Sequence, residues 1–208
     1  MKILIADKLS RSAHEALRAT GEEVVDAPGL SAADLPAEIG DAEVLVVRST
    51  KVNADTIAAG SSLGLIIRAG AGVNTIDLDA AGRHGIYVAN CPGKNTSAVA
   101  ELTIGLLVAA DRRIVDAAMD MKQGSWRKKL YGQSRGLNGR TLAILGAGSI
   151  GRAVAIRARA MGMRVVLWSR SLTPEAAHQL GCDYAATPVE AARQADALSV
   201  HLALTDET

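Results

Sequence analysis

Three glycines, Gly146, Gly148 and Gly151, form the pattern G-x-G-x-x-G, whose spacing indicates a specific binding chemistry. The first glycine permits a tight turn, the second lets a pyrophosphate approach the backbone, and the third allows close packing of a helix. The amides that begin that helix, at Ser149 and Ile150, can then donate hydrogen bonds to the phosphates. The pattern predicts a dinucleotide-binding turn, although glycines with this spacing also occur in ordinary turns.

The segments on either side of the glycines support this prediction. Thr141 to Leu145 is an apolar run typical of a buried strand, Ile150 to Ala160 is rich in helix-forming residues, and Val165 to Trp168 predicts a second strand. Strand, glycine turn, helix and strand follow one another in the order that a dinucleotide-binding unit requires.

The residues after the second strand bear on which dinucleotide binds. NAD-binding sites carry Asp or Glu about 20 residues after the glycines, where the carboxylate accepts hydrogen bonds from the ribose. This chain has Ser169, Arg170 and Ser171 there. Without a carboxylate to repel a 2′-phosphate, and with a guanidinium able to pair with it, NADP is favoured over NAD. The alternative is that Arg170 only projects into solvent.

Strand and helix patterns alternate from the first residue, which predicts an α/β fold with mostly parallel sheets. Five strands are expected at Ile3 to Ala6, Val24 to Asp26, Val44 to Val47, Leu65 to Arg68 and Ile86 to Ala89. Helices are expected between them at Arg11 to Arg18, Ala32 to Ile39, Ala54 to Ala59 and Leu78 to Arg83. Asn53 and Asp77 are candidate N-caps of the last two helices.

A second candidate site follows the third and fourth strands, because ligands collect at the carboxyl ends of parallel strands. Arg48 follows the third strand, and the fourth runs into Arg68-Ala-Gly-Ala-Gly-Val73. Consecutive amides of Gly70 to Val73 can hold an anion, with Arg48 and Lys51 supplying positive charge. Alternatively, the glycines only turn the chain and the arginines are solvated.

Composition excludes several other classes of function. The 208 residues are 49% hydrophobic with a net charge of +1, and the basic residues are not massed together, so nucleic acid is not an expected partner. Cys91 and Cys182 lack the spacing of a metal site and fit a reducing cytoplasm. No signal peptide is predicted at Met1, and the apolar stretch Leu102 to Ala110 is too short to span a membrane.

A long helical pattern runs from Asn95 to Met121, after the turn signal at Cys91-Pro-Gly93. Its apolar residues cover much of the circumference, so a second surface must cover the helix. Either the other domain or a second subunit could supply that surface. The polar segment Lys122 to Asn138 could be flexible or could clasp a partner.

Several motifs together resemble the D-isomer-specific 2-hydroxyacid dehydrogenase family, with the nearest likeness to its phosphoglycerate-oxidising members. They are Val47 to Ile57, Arg68 to Thr103, Gly124 to Lys129 and Gly136 to Arg152. The resemblance implies a flavodoxin-like, substrate-binding domain at residues 1–93 and an incomplete Rossmann NAD(P)-binding domain at residues 94–208. It also implies hydride transfer between a 2-hydroxy or 2-oxo acid and NAD or NADP, a role in serine biosynthesis, and a homodimer formed through helix 95–121 and segment 122–137.

The same resemblance implies roles for individual residues. Those expected at the substrate are Arg48, Arg68, Gly70, Ala71, Gly72 and Val73. Those expected at the cofactor are Ala71, Thr96, Gly146, Gly148, Ser149, Ile150, Gly151, Ser169, Arg170, Ser171, His201 and Leu202. Departures from the family pattern are Asn74-Thr75, Ala203 and Ser169, the last of which replaces the Asp of NAD-dependent members.

The family's catalytic Arg, Glu and His have no counterpart in this sequence. His14, His84, His178 and His201 match no family motif, so we assign no catalytic residue and expect the chain alone to be inactive. A Rossmann fold has about six strands, and only four are predicted here, which leaves Ala197 to Leu202 as an apolar edge. The alternatives to a portion of a dehydrogenase are a non-catalytic nucleotide-sensing or interaction protein of this fold and a truncated product without function. The motifs are shared by enzymes for 3-phosphoglycerate, glyoxylate, hydroxypyruvate and lactate.

Overall fold

A computed structural model describes residues 1–205 and 208 and divides the chain into two compact units, Met1–Asn95 and Thr96–Thr208. Each unit has its own parallel β-sheet. The division falls two residues after the boundary expected from the turn at Gly93. The roles assigned to the two units stay predictions.

The sheet of the first unit contains five strands, all within the described residues. They are β1 (Lys2–Ile5), β2 (Glu23–Asp26), β3 (Val44–Val47), β4 (Leu65–Arg68) and β5 (Tyr87–Ala89). Neighbouring strands are parallel in the order β2-β1-β3-β4-β5. This is the flavodoxin-like order, so the predicted fold of this half is confirmed. Strand β3 is buried along its whole length, as its four consecutive apolar residues require.

Four helices connect these strands. They are α1 (Arg11–Arg18), α2 (Leu35–Glu38), α3 (Ala54–Ala59) and α4 (Leu78–Arg83). Helix α2 begins three residues later than the predicted Ala32, which corrects that prediction. Pro36 lacks an N–H and is tolerated only in a first turn, so a helix cannot begin at Ala32 and pass through it. The Asp34 carboxylate also accepts hydrogen bonds from the amide and the hydroxyl of Ser31, at 2.9 and 2.6 Å, and these bonds hold a turn there instead.

The two predicted N-caps behave differently. The Asp77 carboxylate accepts a hydrogen bond of 2.9 Å from the amide of Ala80 and caps α4 as expected. Asn53 does precede α3, but its side chain forms no capping hydrogen bond. Residue type and position therefore located both helix starts, whereas the capping bond itself forms at only one.

The described part of the second unit has a four-stranded parallel sheet. Its strands are β6 (Thr141–Leu145), β7 (Arg164–Trp168), β8 (Asp183–Tyr184) and β9 (Ala197–Val200). Their order, β8-β7-β6-β9, is the 3-2-1-4 order of a Rossmann sheet. Strand β9 lies at an edge of this sheet among the described residues, with Leu198 and Val200 exposed, as the sequence predicted.

The helices of this unit include two in place of the single long one predicted. They are α5 (Thr96–Arg112), α6 (Ile114–Lys122), α7 (Lys128–Tyr131), α8 (Ser149–Ala160), α9 (Pro174–Gln179) and α10 (Pro188–Arg193). The prediction of one helix over residues 95–121 was wrong, because Arg113 has left-handed backbone angles, φ 52° and ψ 43°. Its guanidinium forms an ion pair of 3.0 Å with Asp116 and lies 5.3 Å from the centre of the Tyr131 ring. Arg113 is thus a left-handed residue that is not glycine, and its side chain contacts both α6 and α7. Within the described residues, no helix is long and apolar enough to cross a membrane.

A buried ion pair ties the end of α5 to the start of β6. The Asp111 carboxylate, 7% exposed, accepts hydrogen bonds from the Arg140 guanidinium at 2.8 Å and from the Gly136 amide at 3.0 Å. We expect Asp111→Asn to lower the free energy of unfolding by about 2 kcal/mol, because it leaves a half-buried guanidinium without its main counter-charge. Urea denaturation measures this loss.

The matched control is Asp183→Asn in an exposed pair of the same unit. Asp183 lies 2.8 Å from the Arg164 guanidinium, but the two side chains are 54% and 64% exposed. Solvent screens such a pair, so we expect a loss below about 1 kcal/mol. Equal losses for Asp111→Asn and Asp183→Asn would contradict the prediction that the buried pair contributes more to the free energy of unfolding.

Candidate functional site

The turn between β6 and α8 requires glycine at two of its three glycine positions. Gly146 has a φ of +106°, and a Cβ there would lie 2.3 Å from the carbonyl oxygen of His201. A Cβ on Gly151 would lie 1.9 Å from the carbonyl oxygen of Gly146. Both clashes are with backbone atoms, which cannot move aside as a side chain can. Gly146 and Gly151 therefore set the shape of the turn.

Gly148 is different, because a Cβ there would meet no atom of the described residues within 4 Å. It is the N-cap residue of α8, and no side chain caps that end of the helix. Ser149, the first helical residue, is exposed. The first amides of this twelve-residue helix thus have no side-chain cap among the described residues, which suits a bound anion. A pyrophosphate fits this surface, since nothing at Gly148 blocks its approach.

The other predicted cofactor residues of the second unit follow the strands beside this turn. The Gly146 amide donates to the Trp168 carbonyl at 2.8 Å, and the His201 amide donates to the Leu145 carbonyl at 2.7 Å. The turn therefore lies between the carboxyl ends of β7 and β9. The residues brought to this edge are Ser169, Arg170 and Ser171 after β7, and His201 and Leu202 after β9. Ser169 is half-buried, whereas Arg170 and Ser171 are exposed.

Two predicted cofactor residues lie outside that edge. Thr96 is the first residue of α5, and its hydroxyl oxygen is buried without a hydrogen-bond partner among the described residues. A buried polar atom without a partner is costly, and either a bound ligand or an ordered water can satisfy it. Ala71 belongs to the first unit and not to this edge.

His201 is a half-buried histidine directly after β9. Burial lowers the pKa of its imidazole, because the charged form loses water. Its Nε2 lies 2.9 Å from the Ser199 hydroxyl oxygen. Burial and the contact with Ser199 therefore both act on the imidazole at the edge where the phosphates would lie.

A pocket of about 490 Å³ opens in the first unit at the carboxyl ends of β3 and β4. It is lined by Arg48, Ser49, Arg68, Ala69, Gly70, Ala71, Cys91, Lys94 and Asn95. Three of these side chains are cationic, and none forms an ion pair with a carboxylate of the described chain. A concave surface lined by three cations is suited to a small anion of more than one charge. Lys94 lines this pocket, whereas Lys51, the cation expected from the sequence, is not among its lining residues.

Asp7 fixes the loop that carries Arg48, although the sequence analysis did not single it out. Its Oδ2 accepts hydrogen bonds from three consecutive amides, those of Arg48 at 2.7 Å, Ser49 at 3.0 Å and Thr50 at 2.9 Å. Burial alone would raise the pKa of the Asp7 carboxyl, but these amides outweigh it and hold that pKa below its ordinary value. Asp7 closely follows β1, so the strand-end rule that selected Arg48 could also have found it.

The loop after β4 corrects one detail of the predicted anion site. The Gly70 amide donates to the Arg68 carbonyl at 2.8 Å, so it does not face an anion. The amides of Ala71, Gly72 and Val73 form no hydrogen bond to any residue that the structure describes. The predicted run of four available amides is therefore a run of three. Gly70 and Ala71 line the pocket, and Gly72 and Val73 continue the loop.

Among residues 1–205 and 208, no group of three or more His, Cys, Asp or Glu side chains is arranged to hold a metal ion. The candidate sites are therefore made of backbone amides and cationic side chains. Such groups bind and orient anions.

Comparisons with known proteins place this chain among described relatives. Residues 3–202 match the family described as "D-isomer specific 2-hydroxyacid dehydrogenase, catalytic domain". The D-3-phosphoglycerate dehydrogenase of Rattus norvegicus is 46% identical over 182 residues, which are 86% of this chain and 34% of the rat protein. That of Methanocaldococcus jannaschii is 40% identical over an alignment of 209 residues, which covers 100% of this chain and 40% of the archaeal protein. This chain thus spans only 34% to 40% of the length of these curated relatives.

A solved structure gives the same likeness at the level of the fold. The crystal structure of a protein from Thermus thermophilus has a TM-score of 0.88 to this chain and 34% sequence identity. The match covers 100% of this chain and 67% of the Thermus protein. Both sheets described above are therefore part of a fold already observed in a similar protein.

Proposed function

Since this chain belongs to the D-isomer specific 2-hydroxyacid dehydrogenase family, we propose that it supplies the cofactor turn and the substrate-anion pocket of an oxidoreductase. The reaction would transfer a hydride between a 2-hydroxy or 2-oxo acid and a nicotinamide cofactor. The observation that carries this proposal is the turn at residues 146–151, where two glycines are sterically required and the third leaves the start of α8 uncovered.

The residues of the turn suit a dinucleotide through their backbone. The amides of Ser149 and Ile150 would hold the pyrophosphate at the start of α8, where the helix dipole favours negative charge. Thr96 would satisfy its buried hydroxyl on the same ligand. The bound nicotinamide supplies the hydride chemistry, and the protein supplies binding and orientation.

The pocket of the first unit would hold the acid. Arg48 and Lys94 would neutralise the charge of a carboxylate or phosphate, and the amides of Ala71, Gly72 and Val73 would donate to its oxygens. Three cations exceed what a single carboxylate requires, which supports a phosphorylated acid. The two curated relatives named above are D-3-phosphoglycerate dehydrogenases, so a substrate of the 3-phosphoglycerate type is proposed.

We expect NADPH to bind this chain about tenfold more tightly than NADH, as one charge-assisted hydrogen bond to the 2′-phosphate provides. Arg170 follows β7 with Ser169 and Ser171, and none of the three is a carboxylate that would repel that phosphate. A fluorescence titration with each cofactor measures both affinities. Equal affinities for NADPH and NADH would contradict the preference, and binding of neither would contradict the cofactor turn itself.

The matched variant is Ser169→Asp, which restores a carboxylate at the end of β7. We expect it to lower the affinity for NADPH by repulsion and to raise that for NADH by accepting hydrogen bonds from the ribose. Ser171→Asp, two residues further on, is the control for added charge. An equal response of the two variants would show that charge alone, and not the position of residue 169, decides the preference.

The proposed setting is a cytoplasmic homodimer acting in serine biosynthesis. Exposed apolar residues on α5, α6 and the following segment support a second copy as partner, among them Leu102, Leu106, Met119 and Trp126. Free thiols at Cys91 and Cys182 suit a reducing compartment. The interface is proposed over helices α5 and α6, which replace the single helix 95–121, together with segment 122–137.

A further inference from the structure

The loop after β4 has three consecutive carbonyls that each accept a hydrogen bond. The donors are the Cys91 amide to Gly70 at 2.9 Å, the Asn90 side-chain amide to Ala71 at 2.6 Å, and the Arg68 guanidinium to Gly72 at 2.9 Å. Two of these donors come from the segment after β5 and one from the end of β4. Residues outside the loop therefore hold three of its consecutive carbonyls in place.

Peptide geometry converts these bonds into a constraint on the amides. The carbonyl of one residue and the N–H of the next belong to a single rigid plane and, in a trans peptide, point in opposite directions. All peptide bonds of the described chain are trans. Fixing the carbonyls of residues 70, 71 and 72 therefore fixes the N–H directions of Ala71, Gly72 and Val73, the three amides without an acceptor in the described residues.

We infer that Asn90 is a positioning residue of the anion pocket, which sets the direction of the Gly72 amide by donating to the Ala71 carbonyl. This inference rests on the proposed role of the pocket in binding the acid. Asn90 is not among the lining residues of the pocket and carries no charge, so it acts only through the loop. Its nitrogen must face the carbonyl oxygen, because its oxygen would be repelled there.

Asn90 is also the one of the three donors that mutation can test cleanly. The Cys91 donor is a backbone amide, which a side-chain substitution leaves in place. The Arg68 guanidinium both holds Gly72 and adds positive charge to the pocket, so its replacement changes two properties together. Asn90→Leu removes the donor at similar size and without a change of charge.

The test is amide NMR of the ¹⁵N-labelled chain titrated with sodium sulfate against sodium chloride of equal ionic strength. Sulfate is a dianion throughout the working pH range, so its own protonation does not intervene. In the wild-type chain we expect shifts at the amides of Ala71, Gly72 and Val73. In Asn90→Leu we expect the shift of Gly72 to fall at least by half while those of Ala71 and Val73 persist, with sulfate affinity about fivefold lower.

Two further variants complete the design. Asn90→Ser, whose side chain is too short to reach the carbonyl, should repeat the selective loss at Gly72 and guards against misfolding of the leucine variant. Asn53→Ala is the matched control, since Asn53 is an exposed asparagine of the same unit whose side chain forms no capping bond. We expect Asn53→Ala to leave all three shifts and the sulfate affinity unchanged.

The other possible outcomes would contradict either the positioning role of Asn90 or the anion pocket itself. An unchanged Gly72 shift in both Asn90 variants, or an equal loss at all three amides, would overturn the positioning role while the pocket stands. A wild-type chain in which sulfate shifts none of the three amides would overturn the anion pocket and the positioning role together. The two failures are therefore distinguishable.

Discussion

Replacing Gly151 with alanine lowers the free energy of unfolding by more than about 4 kcal/mol, an exceptional loss for one methyl group. The added Cβ would lie 1.9 Å from the Gly146 carbonyl oxygen, 3.0 Å from the carbon of that carbonyl and 3.3 Å from Ile144 Cγ2. Strand β6, which leads into Gly146, is paired with β7 and β9 on its two sides. The turn cannot yield without disturbing those pairings, so the strain is not relieved locally. Urea denaturation of the second unit measures the loss.

Gly105→Ala is the control for this prediction. Gly105 is also a helical glycine of the second unit, within α5, and a Cβ there would meet nothing within 4 Å. Alanine at an exposed helix interior is favoured over glycine by about 1 kcal/mol, so we expect this variant to be slightly more stable than the wild type. If Gly151→Ala were as stable as Gly105→Ala, the close approach of α8 to β6 would be wrong.

Gly148→Ala is expected to keep the fold and to lower dinucleotide affinity about 100-fold, as the loss of two charge-assisted hydrogen bonds would do. A Cβ at Gly148 meets no atom within 4 Å in the part of the chain that the structure describes, and its φ of −72° and ψ of −169° are open to alanine. The new methyl group would instead occupy the space through which the pyrophosphate reaches the amides of α8. Loss of the glycine N-cap costs at most about 1 kcal/mol. Fluorescence titration with NADPH and urea denaturation separate the two effects.

Gly148→Ala and Gly151→Ala differ in which property they remove. Gly151→Ala should lower the free energy of unfolding, whereas Gly148→Ala should lower only the affinity for NADPH. Gly105→Ala again serves as the control and should bind NADPH like the wild type. Unchanged NADPH affinity in Gly148→Ala would mean that the pyrophosphate does not pass over this residue.

The features that could be read from the sequence are those with a local cause. Apolar runs such as Val44 to Val47 are buried on both faces of a parallel sheet, so the strands of the first unit lie within one residue of their predicted bounds. The glycine turn could be predicted because its backbone shape excludes side chains at two positions. Asp77 could be predicted as a cap because its partner amide lies only three residues away.

The features that could not be read depend on contacts between residues far apart in the chain. No glycine or proline marks the break at Arg113, and the Arg113 side chain contacts Tyr131, eighteen positions later. Asn90 reaches Ala71 across nineteen positions. Lys94 lines the pocket because it follows β5, which lies beside β4 in the sheet. Periodicity and residue spacing carry no information about such long-range contacts.

The three amide hydrogen bonds that Asp7 accepts affect the entropic cost of binding an anion beside Arg48. A surface loop that becomes ordered only when its ligand arrives loses conformational entropy, and this loss weakens the complex. The segment that bears Arg48 is already fixed by a carboxylate that stays ionised at neutral pH. Little freedom is left for the backbone of that segment to lose, so the attraction between guanidinium and anion would appear almost entirely as affinity.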